Sequence, residues 1–123
     1  MEVKSYKDLI VWQRAMGLAA MVYEFCAALP SEERYGLVSQ TRRAAVSVPA
    51  NIAEGHQRKS TRDYLRFLSI ASGSLAELET LVQLANRLYP TIDSSTQGLL
   101  EEADEVGKML RSIQTRLEER LSS

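Results

Sequence analysis

The sequence predicts an all-α fold, an antiparallel up-down-up-down four-helix bundle, and three observations carry that prediction. Apolar residues recur at helical spacing in four separate segments, prolines and glycines punctuate the gaps, and no stretch alternates with the period of a strand. The chain's 123 residues are 45% hydrophobic and 25% charged, enough for one domain with its own core and too few for two. Residues 1–123 therefore read as a single bundle domain, with helices near 8–29, 36–55, 61–89 and 96–121.

In the first helix Trp12, Met16, Ala19, Tyr23 and Cys26 step by four and three and so share one face, which we take as the seam of the bundle. A second apolar row, Val11, Leu18, Val22 and Phe25, continuing to Leu29, widens the apolar arc to roughly 180°, against the ~100° of a one-sided surface helix. Two partners are implied, and we assign Val11, Leu18, Val22 and Phe25 to contact with a second copy of the chain. Pro30 ends this helix, and "PSEERYG" makes the connection, with Ser31 and Gly36 as its turn residues.

The second helix points Leu37, Thr41, Ala44, Val48 and Ile52 inward, and it carries a proline in its middle. Pro49 has no N–H for the carbonyl of Ala45, so we expect a kink there. Asn51 falls on the apolar side, where an amide without hydrogen bonds costs about 1–3 kcal/mol. Ser47, one turn before it, can help, and the small residues Ala44, Ala45, Ser47 and Ala50 would admit a neighbouring helix whose backbone the amide could reach. Gly55 is expected to terminate the helix in the left-handed conformation, with "HQRKS" as the loop beyond it.

Ser60 and Asp63 form a capping signal for the third helix. Tyr64, Phe67, Leu68, Ala71, Leu75, Leu78, Val82, Ala85 and Tyr89 share its inner face, and Arg62, Arg66, Ser69, Gly73 and Glu77 point away. Pro90 and the polar "TIDSSTQG" lead to the fourth helix, whose inner face holds Leu99, Ala103, Val106, Leu110, Ile113, Leu117 and Leu121. Acidic residues early in it and Arg111, Arg116 and Arg120 late in it suit the helix dipole, and Asp104 and Lys108 make an i,i+4 pair.

A formal charge of −1 and a pI near 5.9 give no overall attraction to nucleic acid, yet the charges are unevenly placed. Residues 40–66 hold Arg42, Arg43, Arg58, Lys59, Arg62 and Arg66 against Glu54 and Asp63, a net of +4. Those six cations are the candidate nucleic-acid contacts. Cys26 is the only cysteine, so no intrachain disulfide can form, and its apolar neighbours suggest a buried thiol. The apolar run "AMGLAAMVY" is far short of the roughly 20 residues of a membrane span. We expect a cytoplasmic protein without a signal peptide and with no membrane contact.

The residues that could do chemistry do not add up to a site. His56 is the only histidine and lacks companions for zinc, Glu54 reads as a salt-bridge partner for a nearby arginine, and Glu77 with Glu79 lacks the Glu-x-x-His half of a di-iron bundle. Ser72, Gly73 and Ser74 form a small-residue break suited to close packing. We expect no enzyme, no catalytic residue, no metal and no cofactor.

The stretches "YKDLIVWQRA", "LPSEERYGLVSQTRRAAVSVPANIAEGHQRKS" and "YLRFLSIASGSLAELET" together resemble the four-helix-bundle proteins encoded in intervening sequences of bacterial 23S ribosomal RNA genes. That family is in turn similar to the accessory variability determinant proteins of diversity-generating retroelements, pentameric barrels that work with a reverse transcriptase and nucleic acid. The resemblance implies a homo-oligomer, in particular a homopentamer, with RNA, DNA or a reverse transcriptase as partners, and no catalytic activity. The function expected is a non-catalytic oligomeric scaffold or adaptor that binds nucleic acid, or a partner that handles it, through the basic patch. A purely structural or protein-binding oligomer is the alternative.

Overall fold

The computed structural model describes residues 3–90 and 95–122. Within them lie four helices and no strand: α1 (Ile10–Ala27), α2 (Leu37–His56), α3 (Thr61–Leu88) and α4 (Thr96–Ser122). Single 3-10 turns at Tyr6–Asp8 and Ser31–Glu33 precede α1 and α2. Four residues of the loop expected after Pro90, Thr91, Ile92, Asp93 and Ser94, lie outside the described residues. Each helix packs on the next and α4 returns to α1, so the four enclose one core. Phe25, Leu18, Val22, Val48, Ile52, Leu68, Leu78, Val82, Leu99, Val106 and Leu110 fill it, each under 2% exposed.

Local chemistry sets the helix starts. Ser5 accepts a hydrogen bond from the Lys7 amide while the Asp8 carboxylate accepts from the Ser5 and Lys4 amides, a reciprocal cap on the first turn. At the start of α2 the cap comes from Glu33, whose Oε1 accepts from the Leu37 amide at 3.3 Å. Its other oxygen accepts from the Tyr89 hydroxyl at 2.5 Å and so ties the end of α3 to the start of α2. That bond, with help from burial, pushes the Tyr89 phenol up to about 12. Ser60 caps α3 as expected, accepting from the Asp63 amide at 3.1 Å.

Four expectations are corrected by the packing. Val11, Leu18, Val22 and Phe25 are 3%, 1%, 0% and 1% exposed, so the row belongs to the bundle's own core, and only Val11 borders a surface groove. α2 and α4 both press on α1, and the row between them is the buried one. Much of the supposed seam turns outward, with Met16 47% and Tyr23 44% exposed. Leu121, in the last turn of α4, is exposed, and the core of that helix ends at Leu117.

Gly55 is the second correction. It sits inside α2, buried, one residue before the helix ends, and no described glycine has a positive φ. Its role is steric: a Cβ there would lie 2.7 Å from Phe67 Cβ and 3.0 Å from Tyr64 Cδ1. Only glycine lets the last turn of α2 rest directly on the first turns of α3. The third correction concerns Asn51, whose amide does not reach a neighbouring helix; Ser47 serves it as expected, the amide donating to the Ser47 carbonyl at 2.8 Å and to Ser47 Oγ at 2.9 Å. The link to α3 is made by Ser47, whose hydroxyl meets that of Ser74 at 2.8 Å. Pro49 is buried in an α2 that continues through it.

Candidate nucleic-acid interface

The six cations proposed from sequence separate into two groups, and this is the fourth correction. Arg43 and Arg58 are fifteen positions apart on or just past one helix, about 22 Å at the usual helical rise. Arg42 is drawn into the seam between α1 and α2, its guanidinium 4.5 Å from the centre of the Tyr23 ring. There it also lies against Cys26, whose thiol is pushed up by burial while Arg42 pulls it down. Arg43 is exposed and leans on Ser39 Oγ at 3.5 Å, beside a small polar notch that Gln40, Ser47, Ser74 and Glu77 also line. Arg42 and Arg43 are therefore separate from the remaining four.

Arg58, Lys59, Arg62 and Arg66 gather where α2 ends and α3 begins. Gly55 brings the two helices together, residues 57–60 make the turn, and all four side chains reach solvent. Arg58 pairs with Glu54 at 3.1 Å and Arg66 with Asp63 at 3.9 Å, both in exposed settings where an ion pair holds a side chain loosely. Lys59 and Arg62 have no ion-pair partner among the described residues. The positive end of the α3 dipole lies at the same turn.

A further cation arrives from α4. Arg116 acts on the Tyr64 phenol, lowering what burial has raised. The same arginine edges a groove of about 630 Å³ between the N-terminal turn and α4, lined by Val3, Leu9, Ile10, Val11, Met109 and Ile113. Sequence reading missed this groove because its walls come from the two ends of the chain. It contains the most exposed apolar residues of the α1 side, Ile10 at 65% and Val3 at 49%.

Acidic groups collect elsewhere. Glu101, Glu102, Asp104 and Glu105 lie early in α4, where Glu102 accepts two hydrogen bonds from Arg14, at 2.6 and 3.0 Å. That bond lowers the Glu102 carboxyl and raises the Arg14 guanidinium. Glu77 and Glu79 diverge: Glu77 lines the notch on the α2 side, and Glu79 faces α4, its carboxyl raised by burial and by Asp104. His56 is helical, in the last turn of α2, with its ring edge-on to Tyr64 at 5.8 Å. Among the described residues no three His, Cys, Asp or Glu side chains come together to hold a metal ion. No described helix is long and apolar enough to cross a membrane.

Fold and surface together define a four-helix-bundle protein with a cationic turn and an apolar groove. The family model for the 23S rRNA-intervening sequence protein matches residues 7–112, and the chain belongs to that family. A crystal structure of a protein of unknown function from the S23 ribosomal protein family of Bacteroides thetaiotaomicron VPI-5482 has the same fold. It is 24% identical, with a TM-score of 0.76 over 85% of this chain and 98% of that one. None of the curated proteins matches the chain.

Proposed function

We propose that this protein is a non-catalytic scaffold that assembles with copies of itself and binds nucleic acid through the turn between α2 and α3. One observation carries the binding half: Arg58, Lys59, Arg62 and Arg66 converge on one exposed turn although the chain as a whole has a net charge of −1. Such a cluster suits phosphate-backbone contact, which needs positive charge and accessible donors but no base-reading pocket. Copies arranged in a homopentamer would repeat the cluster and raise avidity without new contacts. The cationic turn supports this; a reverse transcriptase or another nucleic-acid-handling protein is the partner class that fits beside RNA or DNA.

Self-assembly is assigned to the groove beside α1, where Val3, Ile10, Met109 and Ile113 leave apolar surface uncovered. The second function, a protein-binding oligomer without affinity for nucleic acid, is favoured by that same groove taken with the acidic pI. Fluorescence-anisotropy titration of labelled single-stranded and duplex oligonucleotides separates the two. The wild type should bind at low salt, and Arg58, Lys59, Arg62 and Arg66 reversed together to Glu should not. Failure of the wild type to bind at low salt selects the protein-binding function.

A further inference from the structure

We infer that Phe67 is a positioning residue that holds Arg58 and Arg66 as a paired fork for one phosphodiester group. The inference rests on the nucleic-acid function proposed above and adds to it the residue that organises the contact. The guanidinium carbons of Arg58 and Arg66 lie at the same distance, 4.7 Å, from the centre of the Phe67 ring. Arg58 comes from just beyond α2 and Arg66 from the second turn of α3, so cations from both sides of the turn converge on this ring. Phe67 itself is 7% exposed, and its Cβ is the atom that Gly55 leaves room for. A buried ring thus sits under two exposed arginines.

The carboxylates nearby do not account for this arrangement. Glu54 and Asp63 contact Arg58 and Arg66 at 3.1 and 3.9 Å from exposed positions, and each holds one arginine without drawing the two together. Two like charges at one ring repel each other, and an anion between or beside them relieves that repulsion. Stacking on an aromatic face leaves the guanidinium edges, which carry the N–H donors, directed outward, and it lowers the entropy lost when they bind. A phosphodiester offers two non-bridging oxygens to such a pair. Lys59 and Arg62 then serve neighbouring phosphates as unstacked charges.

The test separates organised from unorganised charge. Anisotropy titrations with a single-stranded oligonucleotide at low salt would compare wild type, Phe67→Leu, Phe67→Tyr, and the double variant Arg58→Lys/Arg66→Lys. Leucine keeps every charge and removes the ring, and we expect affinity to fall about three- to tenfold with each arginine still cationic. Tyrosine keeps the ring and should restore binding. The lysine pair keeps the charge and the fold but loses the planar stack, and should fall by a similar factor. These exposed lysine substitutions keep the inference falsifiable if Phe67→Leu unfolds. Equal affinity of wild type and the lysine pair, or of wild type and a folded Phe67→Leu, would overturn the role of Phe67 while leaving the nucleic-acid function standing. Absence of binding by the wild type would overturn both.

Discussion

The α2–α3 pair and the α1–α4 pair are built on different terms. Across α2 and α3 the contacts are made by small groups: Gly55 against Phe67 and Tyr64, and Ser47 against Ser74. The backbones come close and a single four-residue turn joins them. Across α1 and α4 the chain's two ends meet, a 2.6 Å salt bridge between Arg14 and Glu102 marks one level, and a groove of about 630 Å³ opens at another. The α2–α3 pair is matched at these points by small residues, while the α1–α4 pair leaves apolar surface exposed. The closed pair presents charge, and the open pair presents apolar surface.

Substitutions that move charge from one kind of surface to the other should produce the largest contrast. Leu18→Asp places a carboxylate at a 1% exposed core position and should unfold the bundle, with loss of the helical circular dichroism signal. Ile10→Asp, on the same helix but 65% exposed at the groove, should leave that signal intact while light scattering shows any assembled species reduced toward the 13.8 kDa chain. An assembly unaffected by Ile10→Asp would move self-contact away from the groove.

Next in size is Gly55→Val. Adding a branched side chain where a Cβ already lies 2.7 Å from Phe67 Cβ should cost about 1–3 kcal/mol by overpacking, read as a lowered urea midpoint. A variant as stable as wild type would mean that α2 and α3 are free to separate at this turn.

How much of this was legible in the sequence depends on whether the determining contact is local. Helix positions, the Ser60 cap and the Asp104–Lys108 pair at 3.4 Å follow from neighbours three or four residues apart, and the periodicity shows them directly. The inner rows of α2 and α3 were equally clear because each has one apolar face. On α1 the two apolar rows lie side by side, and which one is buried depends on where α2 and α4 settle, so Val11, Leu18, Val22 and Phe25 were placed on the wrong side. Gly55 was misread because a helix-ending glycine and a close-packing glycine are identical in sequence. Only the position of Phe67 distinguishes them. Likewise the separation of Arg42 and Arg43 from the other four cations is a matter of axial rise, which a charge count ignores.

Asn51→Leu should have a smaller effect than Gly55→Val. The amide's two acceptors, the Ser47 carbonyl and hydroxyl, keep other partners in the helix and at Ser74, so few groups are orphaned and the loss should be about 0.5–1.5 kcal/mol. A loss well above that range in thermal melts would mean that the amide serves more than its own turn.

The smallest effect belongs to Tyr89→Phe. Because the Tyr89 phenol is raised from 10.0 to about 12, chiefly by its bond to Glu33, its protonated form is favoured by folding. Its stabilisation is fully present below pH 10 and is lost as pH rises through about 12. The stability difference between wild type and Tyr89→Phe should therefore be constant up to pH 10 and vanish near pH 12. A difference independent of pH over that window would assign Tyr89 a packing role alone.

If the turn between α2 and α3 binds phosphate as proposed, oligonucleotide affinity must depend steeply on salt. Four cations engaging three phosphates of a single strand, one of them shared by Arg58 and Arg66, should give log Kd against log salt a slope of magnitude roughly 2 per protomer. That slope is expected for the wild type, with a nearly flat, far weaker response when Arg58, Lys59, Arg62 and Arg66 are all Glu. A wild-type slope near zero, or the same steep slope in the charge-reversed protein, would contradict it.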